Sequence, residues 1–180
     1  MRYIVALTGC SGIQYGIRLL EELEGERVLI ISEMGKQVLE EETGLTLKDL
    51  EAHAEEVYED DDLFAPPASG SHHFDAMIIC PFTQSTLVKI AAGIADTLIT
   101  RAASVTLKEG RRLIIVPRET PLNVIMLENE LRLARAGAVI LPASPAFYSE
   151  PRSIDDMLNF VVGKILDQLG QRHDLFKRWE

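Results

Sequence analysis

The chain has 180 residues, of which 47% are apolar and 26% charged, enough for one domain with a full core. A formal net charge of −10 argues against nucleic acid or an anionic membrane as partner. No apolar run is long enough to span a bilayer, no signal-peptide pattern opens the chain, and its two cysteines give no CxxC pair, so a reducing, cytoplasmic setting is expected.

Tyr3–Leu7 is an apolar run expected to form a buried strand. Thr8-Gly9-Cys10-Ser11-Gly12 follows, after which Ile13, Ile17, Leu20 and Leu23 recur at helical spacing. A strand, a glycine-bearing turn and a helix can offer backbone N–H groups to a phosphate, although any tight turn uses glycine in this way. The pattern is neither GxGxxG nor a Walker loop. Arg27–Ile31 is a second strand, and Ser32 at its end either caps the next helix or meets a ligand. That helix is expected over Met34–Glu42, ending in Glu40, Glu41 and Glu42, with a short further helix around Leu45, Leu47 and Leu50. Glu55–Ser71 carries a run of acids and two prolines and reads as a surface loop. Its aspartates do not complete a DDxxD helix, because Ala65 stands at the last position. His72-His73 lacks a third ligand at helical spacing, so no metal site is expected.

Phe74–Pro81 is the third strand, and Phe82–Thr86 brings hydroxyls to a strand-to-helix junction. Leu87, Ile90, Ala91 and Ile94 mark the next helix. A helix-like segment from Arg101 leads to the buried strand Leu113–Val116, stopped by Pro117. Arg118, Glu119 and Thr120 then stand at the carboxyl end of that strand, where open α/β sheets bind ligands. Leu122–Ala136 is read as a helix and Gly137–Leu141 as a fifth strand. The loop Pro142–Pro151 has three prolines, which stiffen it for presenting Phe147 and Tyr148. Ser153 caps a helix running to about Leu169, closed by Gly170. Lys164 on that helix either snorkels to solvent or lines a pocket. A tail from about residue 171 holds Phe176 and Trp179, aromatics expected to dock on this domain or on a neighbouring subunit.

Five strands alternating with helices predict a single α/β domain over residues 1–180, a flavodoxin-like or Rossmann-like parallel sheet flanked by helices. Right-handed crossovers then gather Gly9–Gly12, Ser32, Pro81–Thr86, Arg118–Thr120 and Pro142–Tyr148 on one edge. Two kinds of site follow. One is neutral and hydrogen-bonding, suited to a flavin or nucleotide with its phosphate on the first turn. The other is basic, from Lys108, Arg118 and Lys164, suited to a second anion.

Five segments taken together carry a family resemblance: Thr8–Gly12, Arg101–Glu109, Pro117–Pro121, Pro142–Tyr148 and Val162–Gly170. The chain resembles flavin prenyltransferases of the UbiX type, formerly described as aromatic-acid decarboxylases, over almost its whole length. The resemblance implies a metal-independent enzyme that joins a dimethylallyl group from dimethylallyl phosphate to N5 of reduced FMN, with ring closure at C6. The prenylated FMN would serve a partner decarboxylase. It also implies a homo-oligomer, commonly a dodecamer, with active sites at subunit interfaces. By position, Gly9, Cys10, Ser11, Ser32, Thr83, Gln84, Ser85, Thr86 and Arg101 would bind FMN. Lys108, Arg118, Glu119, Tyr148 and Lys164 would hold the dimethylallyl phosphate, with Trp179 close by. Glu119, Glu42 and Ser11 are the implied catalytic groups, with Glu40 and Glu41 leaving the register at Glu42 open. Four positions depart from the family pattern: Cys10 replaces an alanine, Gln84 stands in a junction that is commonly Ser-Met-x-Thr, Lys164 replaces an arginine and loses its bidentate fork, and Gly110 falls where arginine is frequent. The donor is a monophosphate or a pyrophosphate. The competing readings are a non-catalytic FMN carrier and a flavin-dependent cysteine decarboxylase. The latter expects a PxMNxxM segment that Pro81–Thr86 does not supply.

Overall fold

The structure is a computed structural model that describes residues 1–179. Its centre is a six-stranded, all-parallel sheet: β1 (Arg2–Leu7), β2 (Glu26–Ile31), β3 (Glu56–Glu59), β4 (Ala76–Phe82), β5 (Arg112–Pro117) and β6 (Val139–Ile140), in the order β3-β2-β1-β4-β5-β6. The helices are α1 (Ile13–Glu22), α2 (Glu33–Thr43), α3 (Leu47–Leu50), α4 (Gln84–Ala92), α5 (Leu98–Lys108), α6 (Val124–Arg135) and α7 (Ile154–Leu169).

The two-residue alternation of each strand divides the core. On β1, Ile4 and Ala6 join a cluster with Leu87, Leu98, Ala102 and Met126 beneath α4, α5 and α6. Tyr3, Val5 and Leu7 join the opposite cluster with Ile13, Leu20, Leu39 and Ile165 beneath α1, α2 and α7. Each fully buried Leu or Ile stabilises the fold by roughly 1.5–3 kcal/mol. This two-faced burial explains why the central strands read as unbroken apolar runs.

The expected loop over Glu55–Ser71 is corrected by the structure. Glu56–Glu59 pairs with β2 as an edge strand, and Pro66–Ala68 forms a turn of 3₁₀ helix. The strand pairs on one side only, and its sequence is half glutamate, a common device for blunting a sheet edge. The last strand is shorter than Gly137–Leu141, and α6 starts at Val124 because the Asn123 side chain accepts from Met126 N. Ser32 and Ser153 do cap α2 and α7, accepting from Gly35 N at 3.0 Å and Asp156 N at 3.1 Å. Among the described residues no helix is long and apolar enough to cross a membrane.

The tail docks on α7. Arg178 donates twice to Asp167, both at 2.8 Å, and His173 Nε2 lies 3.2 Å from the same carboxylate. The rings of His173 and Phe176 close over Gly163, where an added Cβ would fall 2.5 Å and 2.6 Å from their carbons. Gly163→Ala is therefore expected to lift the tail at a cost of about 1–3 kcal/mol. Faster tryptic cleavage at Arg172 and Lys177, with the far-ultraviolet circular dichroism unchanged, is the expected result. Equal cleavage of variant and parent would show that the rings yield without undocking.

Candidate active site

A pocket of about 690 Å³ opens at the carboxyl end of the sheet. Most of its walls are loops leaving strands: Thr8–Ser11 after β1, Ser32 after β2, Asp60 after β3, Thr83–Thr86 after β4, and Arg118 and Glu119 after β5, with the start of α5 closing one side through Thr97 and Thr100. Thr8 ties two walls together, since its hydroxyl donates to Pro81 O at 2.8 Å and accepts from Thr83 N at 3.1 Å.

The helix N-termini around this pocket differ in what they leave free. On α1, the Glu42 carboxylate accepts from Gly12 N at 2.9 Å and Ile13 N at 3.3 Å. A protein anion therefore already occupies the turn where a ligand phosphate was expected. Burial pushes the Glu42 carboxyl up, but the Ser11 hydroxyl, those two N–H groups and the Arg118 charge together hold it below the ordinary carboxylate range. The register question among the three glutamates is thereby resolved: Glu42 turns to the pocket loop, while Glu40 and Glu41 are exposed. On α5, Asp60 plays the same part, accepting Leu98 N on its carbonyl and Ile99 N on its carboxylate, each at 2.7 Å. Burial raises the pKa of this aspartate.

α4 is different. Thr83 accepts from Thr86 N, and the N–H groups of Gln84 and Ser85 have no acceptor among the described residues. A helix N-terminus with free N–H groups and a positive dipole end favours an anion.

Arg118 and Glu119 face this region from β5. Arg118 Nε donates to Ser11 O at 2.9 Å, and its two terminal nitrogens have no partner among the described residues. Glu119 Oε2 accepts from Gln84 Nε2 at 2.8 Å and Oε1 from Thr120 N at 3.2 Å. The Gln84 amide, the Thr120 N–H and the Arg118 charge hold the Glu119 carboxyl below its usual range. Lys89 also lines the pocket, but its ammonium is paired with Asp96 at 2.9 Å. Cys10 donates to Arg118 O at 3.4 Å, and burial pushes its thiol up, so it is a small neutral wall rather than a thiolate.

Of the residues singled out in the sequence, Gly9, Cys10, Ser11, Ser32, Thr83, Gln84, Ser85, Thr86, Arg118 and Glu119 line this pocket. Glu42 supports its rim through Gly12. Arg101, Lys108, Tyr148, Lys164 and Trp179 do not line it. Arg101 Nε donates to Ala68 O at 3.0 Å, and Lys108 pairs with Glu109 at 2.6 Å. Lys164 lies 3.5 Å from Asp167. Tyr148 packs edge-on against Phe160 and Trp179, with centroids 5.7 Å and 5.4 Å away. Asp60, Thr97 and Thr100 line the pocket but were missed in the sequence. Asp60 was hidden because its strand was read as a loop. Thr97 carried a usable signal, a hydroxyl just before an apolar helical run. Among the described residues no group of three His, Cys, Asp or Glu is placed to hold a metal.

A parallel sheet with this strand order, the Rossmann one, and a polar pocket over its carboxyl edge defines a doubly wound α/β protein of the flavodoxin-like and Rossmann-like class, which binds flavin or nucleotide at that edge. The Flavoprotein family model matches residues 1–166. The chain belongs to this family and, within it, to the flavin prenyltransferases of the UbiX type. The flavin prenyltransferase UbiX of Thermoplasma acidophilum is 52% identical over 180 residues, covering 99% of this chain and all of that one. The crystal structure of AnUbiX (PadA1) in complex with FMN and dimethylallyl pyrophosphate superposes with a TM-score of 0.96 at 41% identity, covering 99% of this chain and 97% of that one. The dodecameric FMN-dependent UbiX-like decarboxylase from Escherichia coli O157:H7 gives the same TM-score at 42% identity, with both chains fully covered.

Proposed function

We propose that this protein is a flavin prenyltransferase that joins a dimethylallyl group to reduced FMN. The observation that carries the reading is one corner of the pocket. There an unpaired guanidinium, a carboxylate and the free N–H groups of α4 meet within a single polar cavity. A simple flavin carrier has no use for the first two together.

Reduced FMN supplies the nucleophilic nitrogen, and the chain supplies placement and charge. Ser32, Thr83–Thr86 and the loop Gly9–Ser11 are the proposed FMN contacts, with the anion of FMN at the α4 N-terminus rather than at α1. Arg118 would hold the phosphate of the donor and stabilise its charge as it leaves. Glu119 would accept the proton released at the flavin nitrogen. Glu42 would keep Ser11 and Gly12 in place beneath it. The remaining proposed residues, Arg101, Lys108, Tyr148, Lys164 and Trp179, lie outside the pocket of one chain. They fit the site only if another copy brings them to it. A homo-oligomer is therefore part of the proposal, as is a decarboxylase that consumes the product, and the expected setting is cytoplasmic.

The test mixes protein and reduced FMN with dimethylallyl monophosphate in one arm and pyrophosphate in the other, and weighs the flavin by mass spectrometry. A prenyl mass gain in either arm is the expected result. Bound FMN without mass gain in both arms would leave only a carrier.

A further inference from the structure

We propose that Gln84 is a positioning residue for Glu119: its side-chain amide, 2.8 Å from Oε2, orients the carboxylate for proton uptake. The inference rests on the reading of Glu119 as proton acceptor and deepens it. Gln84 is the first residue of α4 and Glu119 follows β5, so the contact ties two walls of the pocket that are 35 residues apart in sequence.

The chemistry of the pair fixes its direction. An ionised carboxylate only accepts hydrogen bonds, so the amide must present its NH₂ group to it. An amide does not titrate in water, so this donor stays a donor at every working pH. It favours the charged carboxylate without neutralising it, as a lysine at the same place would tend to do. The second oxygen is held by Thr120 N at 3.2 Å, which leaves the group little rotational freedom. In prenyl transfer the C–O bond to phosphate breaks as the C–N bond forms, and phosphate leaves with the electron pair. The proton of the flavin nitrogen must then go to a base that is ionised and in place.

The other charged or titratable groups of this corner do not replace Gln84. Arg118 adds a favourable charge but donates no hydrogen bond to Glu119. Cys10 is kept neutral by burial, and Glu42 is spent on Gly12 and Ile13. Lys89 is paired with Asp96.

Gln84→Met keeps the length of the side chain and removes the donor. Its turnover is expected to fall by about threefold to tenfold, the worth of one such hydrogen bond. The KM for FMN should stay within about twofold, because the contact proposed between Gln84 and FMN is the backbone N–H, which methionine keeps, and the acid limb of the pH–rate profile should move to higher pH. Gln84→Glu should lose more, because it sets a second carboxylate against the first. In a Glu119→Gln background, Gln84→Met should cost nothing further. Independently of turnover, the Glu119 carboxyl carbon can be followed by NMR in ¹³C-labelled, ligand-free protein, assigned by its loss in Glu119→Gln. Its titration midpoint is expected to rise in Gln84→Met. An unmoved midpoint, or a Gln84→Met loss that persists in the Glu119→Gln background, overturns the proposal. If the parent enzyme makes no prenylated flavin, the functional reading fails, and the NMR titration still decides the coupling of the two side chains.

Discussion

Arg118→Ala is expected to lower prenyl transfer by about 10²–10³-fold, the usual loss when a group aimed at developing charge is removed. FMN binding should weaken by no more than about threefold, because the interaction is strongest in the transition state. The case rests on what the guanidinium leaves unused. One nitrogen is bound to Ser11 O, and the terminal pair has no partner among the described residues. A free planar fork on the wall of a polar pocket matches a phosphate in both charge and shape. Lys89 cannot substitute, since Asp96 already holds it. Arg118→Lys separates charge from geometry: it keeps the first, loses the fork, and should fall between parent and alanine variant. Turnover of Arg118→Ala within tenfold of the parent would remove Arg118 from the leaving-group role. Release of FMN as severe as the loss of turnover would reassign it to the flavin.

The sequence showed the sheet more clearly than its edge, for a physical reason. β1, β2, β4 and β5 are covered on both faces, so their apolar runs are unbroken. β3 is an edge strand with two glutamates among its four residues, and nothing in its periodicity separates it from a loop. The miss extended to Asp60, which follows it and enters the pocket. Likewise the glycine turn after β1 looked like a phosphate cradle because local sequence cannot reveal an anion arriving from 30 residues away. Glu42 does arrive there, and the N–H groups left without an acceptor among the described residues are those of Gln84 and Ser85 on α4. Arg118 and Glu119 were legible because a proline-stopped strand places whatever follows it at the binding edge. Lys108 was legible as one cation of a basic site, and Arg101 gained a role only through family resemblance. In one chain they make local contacts with Glu109 and Ala68, and no sequence pattern says which subunit a side chain serves.

Gly16→Ala is expected to destabilise the fold by about 1–3 kcal/mol or more. That corresponds to a fall in Tm of about 2–4 °C per kcal/mol for a chain of this size. Helix propensity alone predicts the opposite sign, since alanine is better than glycine in a helix interior by about 1 kcal/mol. Packing decides against it. Gly16 is the point where α1 crosses the sheet, and an added Cβ would lie 2.3 Å from both Cys80 O and Leu7 Cδ2. Cys80 and Leu7 are both fully buried. The carbonyl is buried backbone rather than the far end of a flexible side chain, so it cannot simply swing aside. The helix must lift instead. Its first residues hold the Glu42 carboxylate, so the lift reaches the pocket through Gly12 and Ile13. FMN affinity should therefore fall with stability, and saturating FMN should restore part of the lost Tm by binding only the folded state. A Tm equal to or above that of the parent would mean that α1 stands further from the sheet than its contacts place it. A lowered Tm with unchanged FMN affinity would show that the first turn of α1 absorbs the displacement before it reaches Glu42.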